Sequence, residues 1–148
     1  MLDRRFFIRL AATLPGAALL TGAVSSANAA TDRQRVAYHV SDKEKVAFTI
    51  GNIKNHITGM GGPDKVEIVL VVHGPALREF HVADGNQSML ETMRGLMSEG
   101  VRFNACGNTM RAMKLENADL PEGMVRVDQG GVVRLAQLQQ EGYLYLRP

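Results

Sequence analysis

The chain has no tryptophan, one cysteine, and only 5% aromatic residues among its 148. A single cysteine cannot close an internal disulfide. Cys106 is therefore a small buried hydrophobe, a link to a second chain, or a thiol kept free for a purpose. No Gly-x-Gly-x-x-Gly or Walker-type loop is present, which leaves nucleotide binding without support. The acidic residues are scattered among basic ones, and no carboxylate dyad for hydrolysis stands out. Close ligand pairs such as Cys-x-x-Cys or His-x-x-x-His are also missing. A metal site built from His73, His81 and Cys106 is thus disfavoured, and no metal or other cofactor is expected. Repeats and low-complexity segments are absent, apart from a polar stretch at Thr31–Arg35.

A strong charge imbalance is lacking too, although the totals first hide this. The chain carries 17 Lys and Arg against 15 Asp and Glu, a net of +2. Arg4, Arg5 and Arg9 against Asp3 account for that excess within the first 29 residues, so the remainder is balanced. A neutral domain has no electrostatic footprint for nucleic acid or anionic lipid, and neither is an expected partner.

The N-terminal segment reads as a leader. Paired arginines in Arg4-Arg5-Phe6-Phe7-Ile8-Arg9 precede an apolar run from Leu10 to Val24, and Ala27-Asn28-Ala29 offers the small residues of a cleavage site. The run is shorter than the ~20 apolar residues of a membrane span, and Thr13, Pro15, Gly16, Thr21 and Gly22 dilute it. Its start is similar to a twin-arginine export signal, with an ordinary secretory signal or an uncleaved anchor as the alternatives. The expectation is cleavage near Ala29, export after folding, a periplasmic destination and no membrane attachment afterwards. Residues 30–148 then form one domain, long enough for one core and too short for two.

Short apolar runs alternate with amphipathic segments along that domain. Arg35–Val40 reads as a strand, and Ser41 or Asp42 as the cap of a helix from Lys43 to about Thr58, striped by Val46, Ile50, Ile53 and Ile57. Val66–Val72 is nearly all aliphatic, as in a strand covered on both faces. A His73-Gly74-Pro75 turn follows. Asn86–Ser98 is a helix whose Met89, Met93 and Met97 share a side with Leu90 and Leu96. That spacing fits core packing better than copper binding. Val101–Ala105 is a strand leading into Cys106, and Gly107-Asn108-Thr109 opens the next helix. Val125–Val127, Gly130–Glu141 and Tyr143–Leu146 complete the alternation. Five strands alternating with four helices predict a three-layer α/β/α fold with a five-stranded, mainly parallel sheet.

In such sheets, chemistry gathers beyond the carboxyl ends of the strands. His73-Gly74-Pro75 and Cys106-Gly107-Asn108-Thr109 both leave strands there. Only the thiolate is a good nucleophile, and the first amides of a helix favour that anion. The amides of Asn108, Thr109 and Met110 can turn toward the sulfur, and Gly107 lets the backbone come close. His73, if protonated, would add to the effect. His39 and His56 read as structural or exposed, and Gly130-Gly131 as turn glycines with a weak claim to cradle an anion.

Val101-Arg102-Phe103-Asn104-Ala105-Cys106-Gly107-Asn108-Thr109-Met110 resembles the cysteine-bearing segment of the DsrE/DsrF-like family. The Val71–Leu77 turn and the Gly130–Tyr143 segment resemble its exported members. The resemblance implies a five-stranded parallel sheet and assembly into homo-oligomers, often trimers or hexamers. It also implies sulfane sulfur carried as a persulfide on Cys106, with His73, Gly74, Gly107, Asn108 and Thr109 lining the substrate pocket. The sulfur-relay members act in the cytoplasm, so an exported chain needs a different donor and acceptor. A non-catalytic oligomer that binds a small ligand or a partner chain is the alternative, with metal binding a weaker third.

Overall fold

A computed structural model describes residues 33–148; the expected leader, residues 1–29, lies outside the described residues. Strand β1 (Gln34–Val40) leads through a 3-10 turn (Lys43–Lys45) into helix α1 (Val46–Gly59). Strand β2 (Val66–Val72) is followed by a 3-10 segment (Gly74–Phe80) and helix α2 (Gln87–Ser98). Strand β3 (Arg102–Cys106) runs directly into helix α3 (Gly107–Met113). Strand β4 (Val125–Val127), helix α4 (Gly131–Gln140) and strand β5 (Leu144–Leu146) close the chain.

The sheet has the order β4-β3-β2-β1-β5, and every pairing in it is parallel. The aliphatic run Val66–Val72 occupies the centre, where both faces are covered and backbone groups are paired on both sides. Short β4 and β5 form the edges. The chain moves outward from β1 to β4 and then crosses back to place β5 beside β1. Parallel crossovers are right-handed, so a connection running the opposite way must pass over the opposite face. This is why α1, α2 and α3 share one face and α4 alone covers the other.

The two faces pack differently. Val36, Tyr38, Val40, Ile68, Leu70, Val72, Phe103 and Ala105 meet the apolar sides of α1, α2 and α3 in the main core. On the opposite face Ala37, Val69 and Val71 meet Leu135 and Leu138 of α4, with Tyr143 beside them. Alternation along the strands sends the intervening His39, Asn104 and Cys106 to this second face.

Several local details differ from the expected pattern. Neither Ser41 nor Asp42 caps the first helix, because both side chains turn to the Arg147 guanidinium, at 2.8 and 3.1 Å. Asn86 does cap α2, its side-chain oxygen accepting the Met89 N–H at 3.0 Å. Met89 and Met93 are buried in the core with Leu90 and Leu96, and Met97 packs at its margin. Helix α3 ends at Met113, where Lys114 turns left-handed at φ 59°. Among the described residues, no helix is long and apolar enough to cross a membrane.

Candidate functional site

The connection after β3 enters α3 on one face, while the connection after β4 enters α4 on the other. The chain therefore leaves these neighbouring strands toward opposite faces, the topological position at which open α/β sheets bind ligands. Cys106, opposite Val127 of β4, is the last residue of β3 and the residue preceding α3. The sequence-predicted cysteine thus lies at the point where the topology opens.

The sulfur is surrounded by donors. The Gly131 N–H, at the start of α4, donates to Sγ at 3.1 Å. Thr109 and Asn108, at the start of α3, lie near enough to favour its ionised form, although α3 makes no capping hydrogen bond with the Cys106 side chain. Burial opposes ionisation and is the largest single influence, for only 5% of Cys106 is exposed. Together, however, the hydrogen bonds from Thr109, Gly131 and Asn108 outweigh it, and the thiol lies below its ordinary pKa. The Thr109 hydroxyl is itself held in place, because its oxygen accepts the Gly74 N–H at 2.9 Å. Gly74 thus contributes through its backbone, one step removed from the cysteine.

Two glycines are required by close approach. A β-carbon at Gly107 would lie 2.8 Å from the Val127 carbonyl oxygen and 3.0 Å from the Asp128 α-carbon, so β3 and β4 leave no room for one. A β-carbon at Gly131 would meet the β-carbons of Cys106 and His73 at 3.3 and 3.4 Å, and Val71 at 3.3 Å. The bare backbone lets α4 bring its first N–H down onto the sulfur. In the sequence Gly131 reads as a turn glycine with a weak claim to cradle an anion. The motif that identifies it is a Gly-Gly pair opening a helix, and only the crossover puts that helix over Cys106.

Asn108 acts through its backbone N–H, while its side-chain oxygen accepts from Arg111. His73 is half-buried. Val72 pairs with Ala105 across β2 and β3, so the next step of the register sets His73 beside Cys106 on the same face. Its ring faces the other way along the sheet: Nε2 lies 2.6 Å from Nε2 of His39, whose Nδ1 lies 2.7 Å from the Tyr145 hydroxyl. Burial and the Arg147 charge hold the His73 pKa below its ordinary value. The imidazolium anticipated beside the cysteine is therefore disfavoured, and His73 stands there neutral. His39 is buried at 7% exposure, and its pKa is lowered to about 4 by burial, His73 and Arg147. Its place in this cluster was not legible, because a lone histidine near a strand end has no distinctive spacing. His56, by contrast, bridges Tyr38 and Gln34.

His81 pairs with Asp84 and Asp119 at 3.4 and 3.8 Å, well separated in the chain from the cysteine turn. Among the described residues, no three His, Cys, Asp or Glu side chains come together as a metal-binding group. The described chain holds one free cysteine, and its neighbours are donors rather than ligands.

Fold and site together define a parallel α/β protein with a hydrogen-bonded cysteine at the reversal of the strand order. The chain belongs to the DsrE/DsrF-like family, which it matches over residues 23–148. Among solved structures it is similar to MTH1491 of Methanobacterium thermoautotrophicum, described as a protein of unknown function. The two are 31% identical, with 78% of this chain and 99% of that one covered and a TM-score of 0.68. The ychN protein of E. coli, at 14% identity, covers 78% of this chain and 99% of its own, with a TM-score of 0.59. BT1422 of Bacteroides thetaiotaomicron, also described as of unknown function, is 13% identical and covers 82% and 100%, with a TM-score of 0.60. These last two likenesses concern the fold. No curated protein matches the chain.

Proposed function

We propose that this chain is an exported sulfur carrier, sulfurtransferase-like in its chemistry, that holds sulfane sulfur as a persulfide on Cys106. The observation that carries the reading is the Gly131 N–H of α4 donating to Cys106 Sγ at 3.1 Å; together with Thr109 and Asn108 at the start of α3 it holds the thiol below its ordinary pKa. Such hydrogen bonding stabilises a thiolate, which attacks the outer sulfur of a polysulfide, thiosulfate or persulfide; the donor's S–S bond breaks, and a shortened polysulfide, sulfite or thiolate leaves with its electron pair. His73, Gly74, Gly107, Asn108 and Thr109 shape the surroundings of the sulfur. Incubation with polysulfide followed by intact-mass measurement tests this: the protein gains sulfur and Cys106→Ser does not. A parent protein that gains none overturns it.

The 5% exposure of Cys106 favours a second reading, in which the cysteine is inert and the domain binds a ligand or partner without catalysis. Slow alkylation at every pH, with no inflection below the ordinary thiol range, would select that reading.

Export by a twin-arginine leader and a periplasmic location belong to the same proposal, supported by the paired arginines and Ala27-Asn28-Ala29. N-terminal sequencing of protein from a periplasmic fraction tests them, with Ala30 as the expected first residue. Assembly into a homo-oligomer, a trimer or hexamer, is supported by exposed Val132 and Val133 on α4 and Leu144 and Leu146 on β5. Sedimentation of the purified chain measures it.

A further inference from the structure

We infer that the cavity between the Lys43–Lys45 turn, the 3-10 segment Gly74–Phe80 and the end of α3 binds a small organic acid, one carboxylate on a short apolar body. The site lies apart from Cys106, and the inference holds whether or not that cysteine carries sulfur.

The cavity encloses about 240 Å3. Its floor is apolar: Met113 and Leu115 are half-buried and pack on the main core, which puts the cavity on the α1–α3 side of the sheet. Cys106 faces the other side. Met113 lies one turn of α3 beyond Thr109, and Arg78 lies four residues beyond Gly74. The hydrogen bond between Gly74 and Thr109 therefore joins the two elements at one end, and the cavity lies between them at the other.

The walls are fixed by contacts of their own. Lys43 reaches from its turn to Glu79 at 3.2 Å. Past the 3-10 segment the chain folds back on itself: the Gly85 N–H donates to the His81 carbonyl at 2.7 Å, and the Asp84 N–H to His81 Nδ1 at 3.2 Å. The Val82 N–H donates to the Asp119 carbonyl at 2.9 Å and ties this loop to the segment after α3. A β-carbon at Gly85 would lie 2.4 and 2.5 Å from the carbonyl oxygens of His81 and Glu79, so only glycine permits the fold. Walls already in place spare a ligand the cost of ordering them.

Charge then selects the occupant. Glu79 is neutralised by Lys43, and the Asp84 side chain, beside His81, is 86% exposed and screened by water. Arg78 is the cation left over: among the described residues its guanidinium has no hydrogen bond or ion pair. A guanidinium offers a planar fork matched to a carboxylate, and one uncompensated charge matches a monoanion rather than a dianion. Size agrees with this. Cofactors and drug-sized ligands fill about 300–1,000 Å3, whereas this volume fits a fragment with one ring or a short chain. Met113 and Leu115 receive the apolar part, and the flexible thioether adapts to its shape.

The test titrates the full chain with benzoate, benzamide, acetate and phenyl phosphate, followed by backbone amide NMR signals. Benzoate is expected to shift the signals of Arg78, His81, Met113 and Leu115 and to saturate them at millimolar concentration. Benzamide keeps the shape without the charge, and acetate the charge without the ring; each should bind about tenfold more weakly. Arg78→Gln, at an exposed side chain that bonds to nothing else, should weaken benzoate by a similar factor. Phenyl phosphate should bind no tighter than benzoate. Shifts that never saturate, or benzoate binding that is unchanged by Arg78→Gln or equalled by benzamide, overturn the site. Acetate binding as tightly as benzoate, or phenyl phosphate binding more tightly, overturns the ligand class. No sulfur donor enters this titration, so its failure and that of the polysulfide test on Cys106 are read separately.

Discussion

The two faces of the sheet use the same strands for different ends. On the α1–α3 side the core is built almost wholly of apolar side chains, with Phe80, Phe103, Ile53 and Leu70 fully buried and, among the described residues of that core, only the Tyr38 hydroxyl bonded, to His56. On the α4 side a single helix covers only the middle of the sheet, over Ala37, Val69 and Val71. Beyond that small cluster, polar groups occupy both ends. Glu67, Arg102 and Tyr143 bond together at the amino edge, while His39, His73 and Cys106 gather at the carboxyl edge. One face supplies the stability that the other face does not, which lets the second hold buried polar groups at a cost.

That division can be tested by breaking each face in turn. The largest effect is expected on the apolar side: Phe103→Ala should cost about 3–5 kcal/mol, as for other buried aromatic truncations. Denaturant unfolding measures it, and a loss below 1 kcal/mol would mean that the α1–α3 core is not the main source of stability. Next comes acid. His39 has a folded pKa near 4 against 6.5 when unfolded, so the unfolded chain binds the proton first as pH falls. The stability tied to neutral His39 is complete above pH 6.5, declines through the interval down to about pH 4, and amounts to on the order of 3 kcal/mol. Unfolding midpoints across this range should show the slope for the parent and a reduced slope for His39→Gln.

A smaller effect belongs to the sulfur itself. Thr109→Val removes the hydroxyl near Cys106 and should move the thiol pKa back up toward its ordinary value. The pH dependence of alkylation reads this directly, and an unmoved midpoint would assign the lowered pKa to the backbone N–H groups alone. Smallest of all, Val132→Ser on the outer side of α4 should change the stability of the isolated chain by less than about 0.5 kcal/mol. If sedimentation also shows smaller assemblies, that surface is an interface.

Much of this architecture was determined by the sequence alone. Alternating apolar runs and helical stripes dictated five strands and four helices, because each segment has one way to bury its hydrophobic side. The all-aliphatic Val66–Val72 announced a central strand for the same reason. Cys106 was legible as well, since a cysteine between a strand and a Gly-Asn-Thr helix entry is bound to meet free amides. The decisive partners were not. Gly131 and His39 lie far from Cys106 in the chain, and their residue types have ordinary uses in turns and cores. Only the reversed crossover of α4 and the register between parallel strands brought one N–H down onto the sulfur and set one imidazole against another. Local sequence governs how each segment folds, whereas contacts between distant segments depend on strand order, which propensity does not encode.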